Sequence, residues 1–175
     1  MKKKIAIVVA LLVVTLAGYA AWLALVGSKK SPKDTVSSDA LATSVTYCRP
    51  YKKERLIFGD EAKGALVPFG KYWRLGANAA TAITFSKDVT FGDKAVKAGT
   101  YSMYAVPGAT TWKVNLNSDV DRWGASEPDH SKDVVSIEVP AENSNAPVEQ
   151  FTISFTDKML FAWDTTKVAV PIAVK

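Results

Sequence analysis

The stretch TAITF, residues 81–85, alternates small or polar residues with large apolar ones. Successive side chains of a β-strand point to opposite faces, so this alternation places Ile83 and Phe85 together on one face. The same period of two recurs in YSMYA at 101–105, in WKVNL at 112–116, in FTISF at 151–155, and at Val135, Ile137 and Val139. No window of comparable length has a convincing helical period, so the sequence predicts an all-β domain.

Short turn signals separate these strands. They are the pairs Gly92-Asp93, Ala98-Gly99, Pro107-Gly108, Asp157-Lys158 and Asp164-Thr165. Repeated short strands with such punctuation are typical of an antiparallel β-sandwich, either jelly-roll or Ig-like, rather than of alternating strand–helix units.

The last three strands, 148–156, 159–163 and 168–174, are expected to form a meander. Pro171 has no N–H group for a strand ladder, so we expect the final strand to lie at an edge or to bulge there. The buried face should hold Ile83, Phe85, Val114, Leu116, Ile153 and Phe155.

The N-terminal segment has three lysines followed by 22 uncharged, mostly apolar residues at 5–26. As a helix this run would extend roughly 30 Å, enough to cross the hydrocarbon core of a bilayer. It exceeds the apolar region of about 7–15 residues in a secretory signal. We therefore expect residues 1–27 to comprise cytoplasmic lysines and one N-terminal transmembrane helix, with the domain in the periplasm or at the cell exterior. The alternative is a signal peptide whose cleavage releases a secreted domain.

Residues 28–44 are rich in Ser, Lys, Asp and Thr and have no sustained apolar period. This composition predicts a flexible tether, followed by the β-sandwich domain at residues 45–175. Cys48 is the only cysteine, so an internal disulfide is excluded, and we expect it to be a small buried residue.

The formal net charge of +5 does not indicate nucleic-acid binding. Three of the 22 basic residues precede residue 28, which leaves 19 basic against 17 acidic residues in the remainder. That near-balance lacks the basic footprint of a nucleic-acid-binding domain, so no nucleic-acid partner is expected.

Metal and cofactor chemistry has little support in the residue types present. A structural zinc site needs several His or Cys ligands, and the chain has one of each. The segment 119–130 has calcium-loop spacing, but Trp123 takes a ligand position and His130 stands where the bidentate Glu belongs. A Ser-His-Asp triad would have to use His130, which lies in a polar loop. There is no P-loop and no dinucleotide fingerprint, so we expect no metal and no cofactor.

Two arginines and their neighbours are the candidate ligand-binding residues. Arg49 precedes Pro50, which favours an extended backbone, and Arg74 lies between Trp73 and the turn at 76–78. A guanidinium beside an aromatic ring can stack on it and bind a carboxylate or phosphate through two hydrogen bonds. The alternative is that each arginine ties a loop to backbone carbonyls or to a nearby acid.

Trp73 and Arg74 are adjacent, so they can face one site only where the chain turns. We therefore expect a loop over residues 75–78, with Trp73 mostly buried and Arg74 reaching a polar cleft near Arg49. The predicted ligand contacts are Arg49, Trp73, Arg74 and Asn78.

The order of motifs carries a family resemblance. The motifs are YCRP at 47–50, FG at 58–59, LVPFGKYWRLGANAAT at 66–81, ITFSKDV at 83–89, AGTYSMYAVPG at 98–108, WKVNLN at 112–117, WG at 123–124 and FTISF at 151–155. Together they resemble a bacterial domain-of-unknown-function family, DUF 2911, from about residue 43 onward. The resemblance implies an exported or envelope-located β domain without an established activity. Members of that family commonly have Glu where this chain has Ala79 and a small residue in place of Cys48.

Three functional hypotheses follow. The first is a membrane-anchored, envelope-facing, non-enzymatic binding module for a small polar ligand, a glycan or a protein. The second is a hydrolase or carbohydrate-modifying enzyme that uses Arg74 for charge stabilisation, and the departure at Ala79 weakens it. The third is purely structural, with Arg74 and Asn78 bonded to backbone. A carboxylate converging on Arg74 in a concave pocket would favour the enzyme.

Overall fold

The computed structural model describes residues 11–19, 22, 31–120 and 122–175. Residues 11–19 are helical and exposed. Within these ranges, no helix is long and apolar enough to cross a membrane. Most of the apolar run predicted to span the bilayer, and the lysines before it, lie outside the described residues, so the anchor stays a prediction.

The domain is built almost wholly from strands. They are β1 Lys33–Ser38, β2 Thr43–Cys48, β3 Phe58–Gly59, β4 Val67–Pro68, β5 Thr81–Phe85, β6 Val89–Phe91, β7 Lys94–Val96, β8 Gly99–Val106, β9 Thr111–Asn117, β10 Asp133–Phe155, β11 Met159–Val170 and β12 Ile172–Val174. Two short 3₁₀ turns lie at Glu61–Lys63 and His130–Lys132. The main sheet is antiparallel, in the order β1-β2-β5-β8-β9-β10-β11.

The all-β antiparallel class predicted from the alternation is therefore confirmed. The four quoted stretches lie in β5, β8, β9 and β10, and alternate residues of β5 are buried as expected. Five of the six predicted core residues are buried, and Phe155 is partly buried against the core.

The main sheet curls until two distant parts of it meet. The first part of β10 pairs with β9 and the rest pairs with β11. The chain just after β2 bonds to β10 as well: Phe151 N donates to Pro50 O at 2.9 Å, and Lys52 N donates to Glu149 O at 2.6 Å. We call this contact between the end of β2 and β10 the seam. Because one sheet curls in this way, the finer assignment to a jelly-roll or Ig-like sandwich stays a prediction.

The predicted three-strand meander at the C-terminus is wrong in its last step. β10 and β11 form the hairpin, but residues 168–170 belong to β11 itself. After Pro171 the chain leaves the main sheet, and β12 pairs with β6 in a small sheet ordered β12-β6-β7. The final strand does lie at an edge, as a proline at the break favours.

The flexible tether predicted over residues 28–44 is also corrected. Lys33–Ser38 forms β1, which pairs along its whole length with β2, and β2 already begins at Thr43. β1 is an edge strand with no fully buried residue, so its sequence KDTVSS needs no apolar pattern to be ordered. Residues 28–30 lie outside the described part of the chain.

A cluster of aromatic rings fills the core beneath the candidate site. Trp73 and Trp163 are stacked with their centroids 5.8 Å apart, and Phe58, Trp112 and Phe151 pack around Trp73. Large buried rings of this kind hold the backbone next to them in one position, which is what a binding surface requires.

Candidate functional site

The YCRP motif at 47–50 forms the seam. Tyr47 Oη accepts a hydrogen bond from Ile153 N at 2.8 Å and lies 3.3 Å from Ile153 O, to which it donates. Burial raises the pKa of Tyr47, which therefore keeps its hydroxyl proton at neutral pH. The hydroxyl satisfies both backbone groups of a buried β10 residue, so Tyr47 is a structural element of the curled sheet.

Arg49 lies at the same seam. Its Nε donates to Phe151 O at 3.3 Å, Nη2 donates to Thr152 Oγ1 at 3.0 Å, and Nη1 pairs with Asp34 Oδ2 at 3.1 Å. The guanidinium thus joins β1 to β10, and each of its nitrogens has a partner. These contacts match the structural alternative, and the role of Arg49 as a ligand contact stays a prediction.

The loop predicted over residues 75–78 is present. Leu75 and Asn78 have φ of 52° and 61°, and Gly76 has φ of 151°. A Cβ atom on Gly76 would lie 2.6 Å from Cys48 O, so only glycine fits against the end of β2. Trp73 is buried and its Nε1 donates to Gly76 O at 3.2 Å, which closes the turn.

Arg74, unlike Arg49, has a guanidinium with few hydrogen-bond partners among the described residues. Nη1 donates to Asn78 O at 3.3 Å, the single hydrogen bond of its guanidinium within the described residues. None of the described carboxylates forms an ion pair with Arg74. Most of its donors are therefore free for a ligand.

Arg74 opens into a cavity of about 590 Å³, which we call the arginine cleft. Its lining includes Trp73, Arg74 and Asn78 of the predicted set, while Arg49 is absent. The other lining residues are Ser31, Pro50, Tyr51, Lys53, Arg55, Leu66, Val67, Gly76, Ala77 and Trp163. The structure therefore brings together three of the four residues predicted from the sequence.

The charges that line the arginine cleft all have one sign. Lys53 and Arg55 join Arg74, and no carboxylate or histidine is among the lining residues. Neither Lys53 nor Arg55 forms an ion pair with a described residue. These two cations are not among the residues predicted from the sequence, although they lie in the charged run KKER at 52–55.

Left-handed backbone is concentrated around the same cleft. Lys53 and Glu54 are consecutive residues with φ of 50° and 59°, and both Lys53 and the left-handed Asn78 line the cleft. The 52–55 turn is held by Arg55 Nε, which donates to Lys52 O at 2.9 Å, and by Lys53 N, which donates to Glu149 Oε1 at 3.0 Å. Non-glycine residues in this region are strained, and such strain clusters at functional sites.

A second cavity, of about 320 Å³, lies against residues 122–123. The backbone of these residues is tied to the 78–80 segment: Ala80 N donates to Arg122 O at 3.1 Å, and Ala79 pairs with Trp123. Trp123 is 65% exposed, the most exposed tryptophan of the domain. We call this space the Trp123 cavity.

A polar cluster ties the 118–132 segment to the outer face of the main sheet. Tyr104 Oη donates to Asp133 Oδ2 at 2.7 Å and lies 2.9 Å from His130 Nδ1. Asn117 Nδ2 donates to Asp133 Oδ1 at 2.8 Å, and His130 Nε2 lies 3.3 Å from Glu127 Oε2. Burial raises the pKa of Tyr104, and the bond to Asp133 raises it further. This phenol stays protonated and acts as a donor at neutral pH.

His130 has acceptors on both ring nitrogens, an arrangement that suits the charged imidazolium. The hydrogen bond to Glu127 raises the pKa of His130, burial opposes this, and the bond to Asp133 raises it again. No described serine, threonine or cysteine hydroxyl or thiol bonds to His130, and Ser131 bonds to Asp129 instead. Within the described ranges, no group of three His, Cys, Asp or Glu side chains is arranged to hold a metal ion.

Comparison with known families gives one match. The family model described as "Protein of unknown function (DUF2911)" matches residues 31–172. The chain belongs to this family. The match covers β1 and extends to the start of β12, so the DUF2911 unit coincides with the ordered β domain. Searches of curated proteins and of solved structures found no match to the chain.

Proposed function

We propose that this DUF2911 protein is a non-enzymatic binding module whose arginine cleft holds a small anionic ligand. The observation that carries the proposal is that Lys53, Arg55 and Arg74 line one concave surface without a lining carboxylate. On this proposal the N-terminal segment anchors a β-sandwich domain that faces the cell envelope.

The cleft has the size and composition of a ligand site. Its volume of about 590 Å³ falls within the usual range for small-molecule pockets, roughly 300–1,000 Å³. Apolar and aromatic groups of Tyr51, Leu66 and Trp163 line it beside the three cations. A ligand with an acidic group and a flat or apolar body would satisfy both kinds of surface.

The absence of a carboxylate and of a histidine from the lining argues against the hydrolase alternative. Hydrolysis of a glycosidic bond usually uses a pair of carboxyl groups, and acyl transfer uses a nucleophile with a base beside it. The cleft lining has cations, aromatic rings, the amide of Asn78 and the hydroxyl groups of Ser31 and Tyr51, without a carboxylate or histidine beside them. These groups are suited to bind and orient an anion.

Thermal unfolding of the full-length protein in detergent tests the proposal. The probes are citrate, inorganic phosphate and galacturonate, with glucose as the neutral control, all at constant ionic strength because salt screens charge. A ligand that binds only the folded state raises the unfolding temperature. We expect stabilisation by at least one anion and none by glucose.

Two variants identify the site. Arg74→Gln should abolish the stabilisation while leaving the ligand-free unfolding temperature nearly unchanged, because Arg74 makes one hydrogen bond. Lys94→Gln removes an exposed cation of β7 that does not line the cleft, and should respond like the parent. Equal stabilisation of the Arg74→Gln variant, or stabilisation by no anion at all, would refute the proposed function.

A further inference from the structure

The arginine cleft and the Trp123 cavity are built from the same three segments of the chain. Ser31, Pro50 and Asn78 line the cleft, and Lys33, Cys48 and Ala80, each two positions away, line the cavity. Residues two apart in the chain lie at most roughly 7 Å apart. The two spaces are therefore neighbours.

The Trp123 cavity is lined by the same kinds of residue as the arginine cleft. Its two charged lining residues, Lys33 and Arg122, are both cations. Thr46 and Ser102 add hydroxyl groups, and the exposed indole of Trp123 forms one wall. The lining thus combines positive charge, hydroxyl partners and an aromatic platform.

Arg122 lines the cavity with a guanidinium of which two nitrogens have partners among the described residues. Nη1 donates to Ser126 O at 2.6 Å and Nη2 donates to Tyr72 Oη at 2.8 Å. Nε is buried and makes no hydrogen bond with any described residue. The two terminal nitrogens thus hold the guanidinium in place as a fixed positive charge of the cavity lining.

The backbone between the two spaces is not available to a peptide. Asn78 O already accepts from Arg74 Nη1 and from Gly124 N, and Ala80 N donates to Arg122 O. A peptide that adds a strand needs free main-chain donors and acceptors at an edge. Side-chain cations, hydroxyls and an indole face remain, and these recognise acidic sugar rings.

We infer that the arginine cleft and the Trp123 cavity are successive subsites for an acidic oligosaccharide. This inference rests on the proposed function and names the ligand class of the same site. One acidic sugar unit binds Arg74 in the cleft, and the next unit stacks on Trp123 beside the cations Lys33 and Arg122. The two spaces lie two residues apart along each of three shared segments, a separation that suits two adjoining sugar units of one oligosaccharide.

Calorimetric titration of the full-length protein in detergent tests the inference. The probes are galacturonic acid, its α-1,4-linked trimer, neutral maltotriose and hexaglutamate. We expect the trimer to bind at least tenfold more tightly than the monomer, with little or no binding of maltotriose or hexaglutamate. Arg74→Gln should weaken monomer and trimer alike.

The Trp123→Ala variant separates the two subsites. It should remove most of the trimer's advantage and leave monomer affinity unchanged, since the Ala79–Trp123 pairing uses backbone atoms. Val134→Ala, another exposed apolar residue, is the matched control. Unchanged far-UV circular dichroism of both variants confirms that they fold.

Each outcome has one interpretation. A trimer that binds no more tightly than the monomer, or an advantage that survives Trp123→Ala, overturns the second subsite while the proposed function stands. Tighter binding of hexaglutamate than of the trimer overturns the sugar assignment. Stabilisation by citrate or phosphate through Arg74, without binding of either galacturonate, also refutes this inference alone. Failure of every anion refutes the proposed function as well.

Discussion

Gly124 lies directly against the side chain of Arg74. A Cβ atom on Gly124 would stand 2.7 Å from Arg74 Cδ and 3.0 Å from Ala80 N. Gly124 N also donates to Asn78 O at 3.0 Å, the carbonyl that Arg74 Nη1 contacts. The 122–124 segment therefore holds Arg74 in the direction of the cleft.

Gly124→Ala should displace Arg74 and weaken anion binding. Overpacking of this kind typically destabilises a protein by about 1–3 kcal/mol. Urea unfolding and the anion-induced thermal shift measure the two effects. The double variant with Arg74→Ala should recover part of the lost stability, because the shortened side chain removes one of the close contacts. Strictly additive effects would show that Arg74 does not meet the new methyl group.

Tyr47→Phe should destabilise the domain through the seam. The substitution leaves the buried N–H and carbonyl of Ile153 without their partner, and an unsatisfied buried group costs about 1–3 kcal/mol. Tyr101→Phe is the control, since its hydroxyl bonds Lys97 O at an exposed position. The difference between the two variants in urea unfolding is the measurement, and equal small changes would mean that Tyr47 does not hold the seam.

Arg49 and Arg74 should respond in opposite ways to truncation. Arg49→Ala removes hydrogen bonds to Phe151 and Thr152 and the ion pair with Asp34, so we expect a loss of about 1–3 kcal/mol of stability. Anion binding by the folded Arg49→Ala variant should match that of the parent. Arg74→Ala should change stability by less than about 1 kcal/mol and abolish binding. If the two variants showed the same changes in stability and in anion binding, this assignment of different roles to Arg49 and Arg74 would be contradicted.

Stability should depend on pH through His130. Its pKa is raised above the ordinary value of 6.5 in the folded state by Glu127 and Asp133, and Tyr104 also faces the ring. A raised pKa means that the stabilisation is fully present below the unfolded value and is lost as pH rises through the folded value. Urea midpoints between about pH 5 and pH 8 should therefore decline more in the parent than in His130→Gln. Urea midpoints that change with pH in the same way in both proteins would exclude this role for His130.

The N-terminal run should keep the protein with membranes. An uncharged stretch long enough to cross a bilayer resists extraction by high salt and by carbonate, which remove peripheral proteins. Fractionation followed by immunoblotting measures this. A soluble mature form that begins after the apolar run would instead support the cleaved signal peptide.

Local sequence patterns were sufficient to predict the fold class and the position of one loop. Burial of alternate positions is a property of a single strand, so the pattern in TAITF predicts β5 without information about the neighbouring strands. The turn after Trp73 was equally local, because Gly76 and Asn78 tolerate the backbone angles it needs. Strand pairing is not local, so the polar β1 was mistaken for a tether, and β12 was placed beside β11 instead of β6.

The sequence by itself determined that the domain is antiparallel β and that Arg74 follows a buried tryptophan at a turn. Only the tertiary structure shows how the two arginines differ, because two of the three partners of Arg49 lie on β10, more than 100 positions away in the chain. The seam and Asp34 of β1 together engage every nitrogen of Arg49, whereas Lys53 and Arg55 line the cleft beside Arg74. Side-chain availability depends on which distant backbone groups come within hydrogen-bond distance, and the closure of the sheet sets those distances.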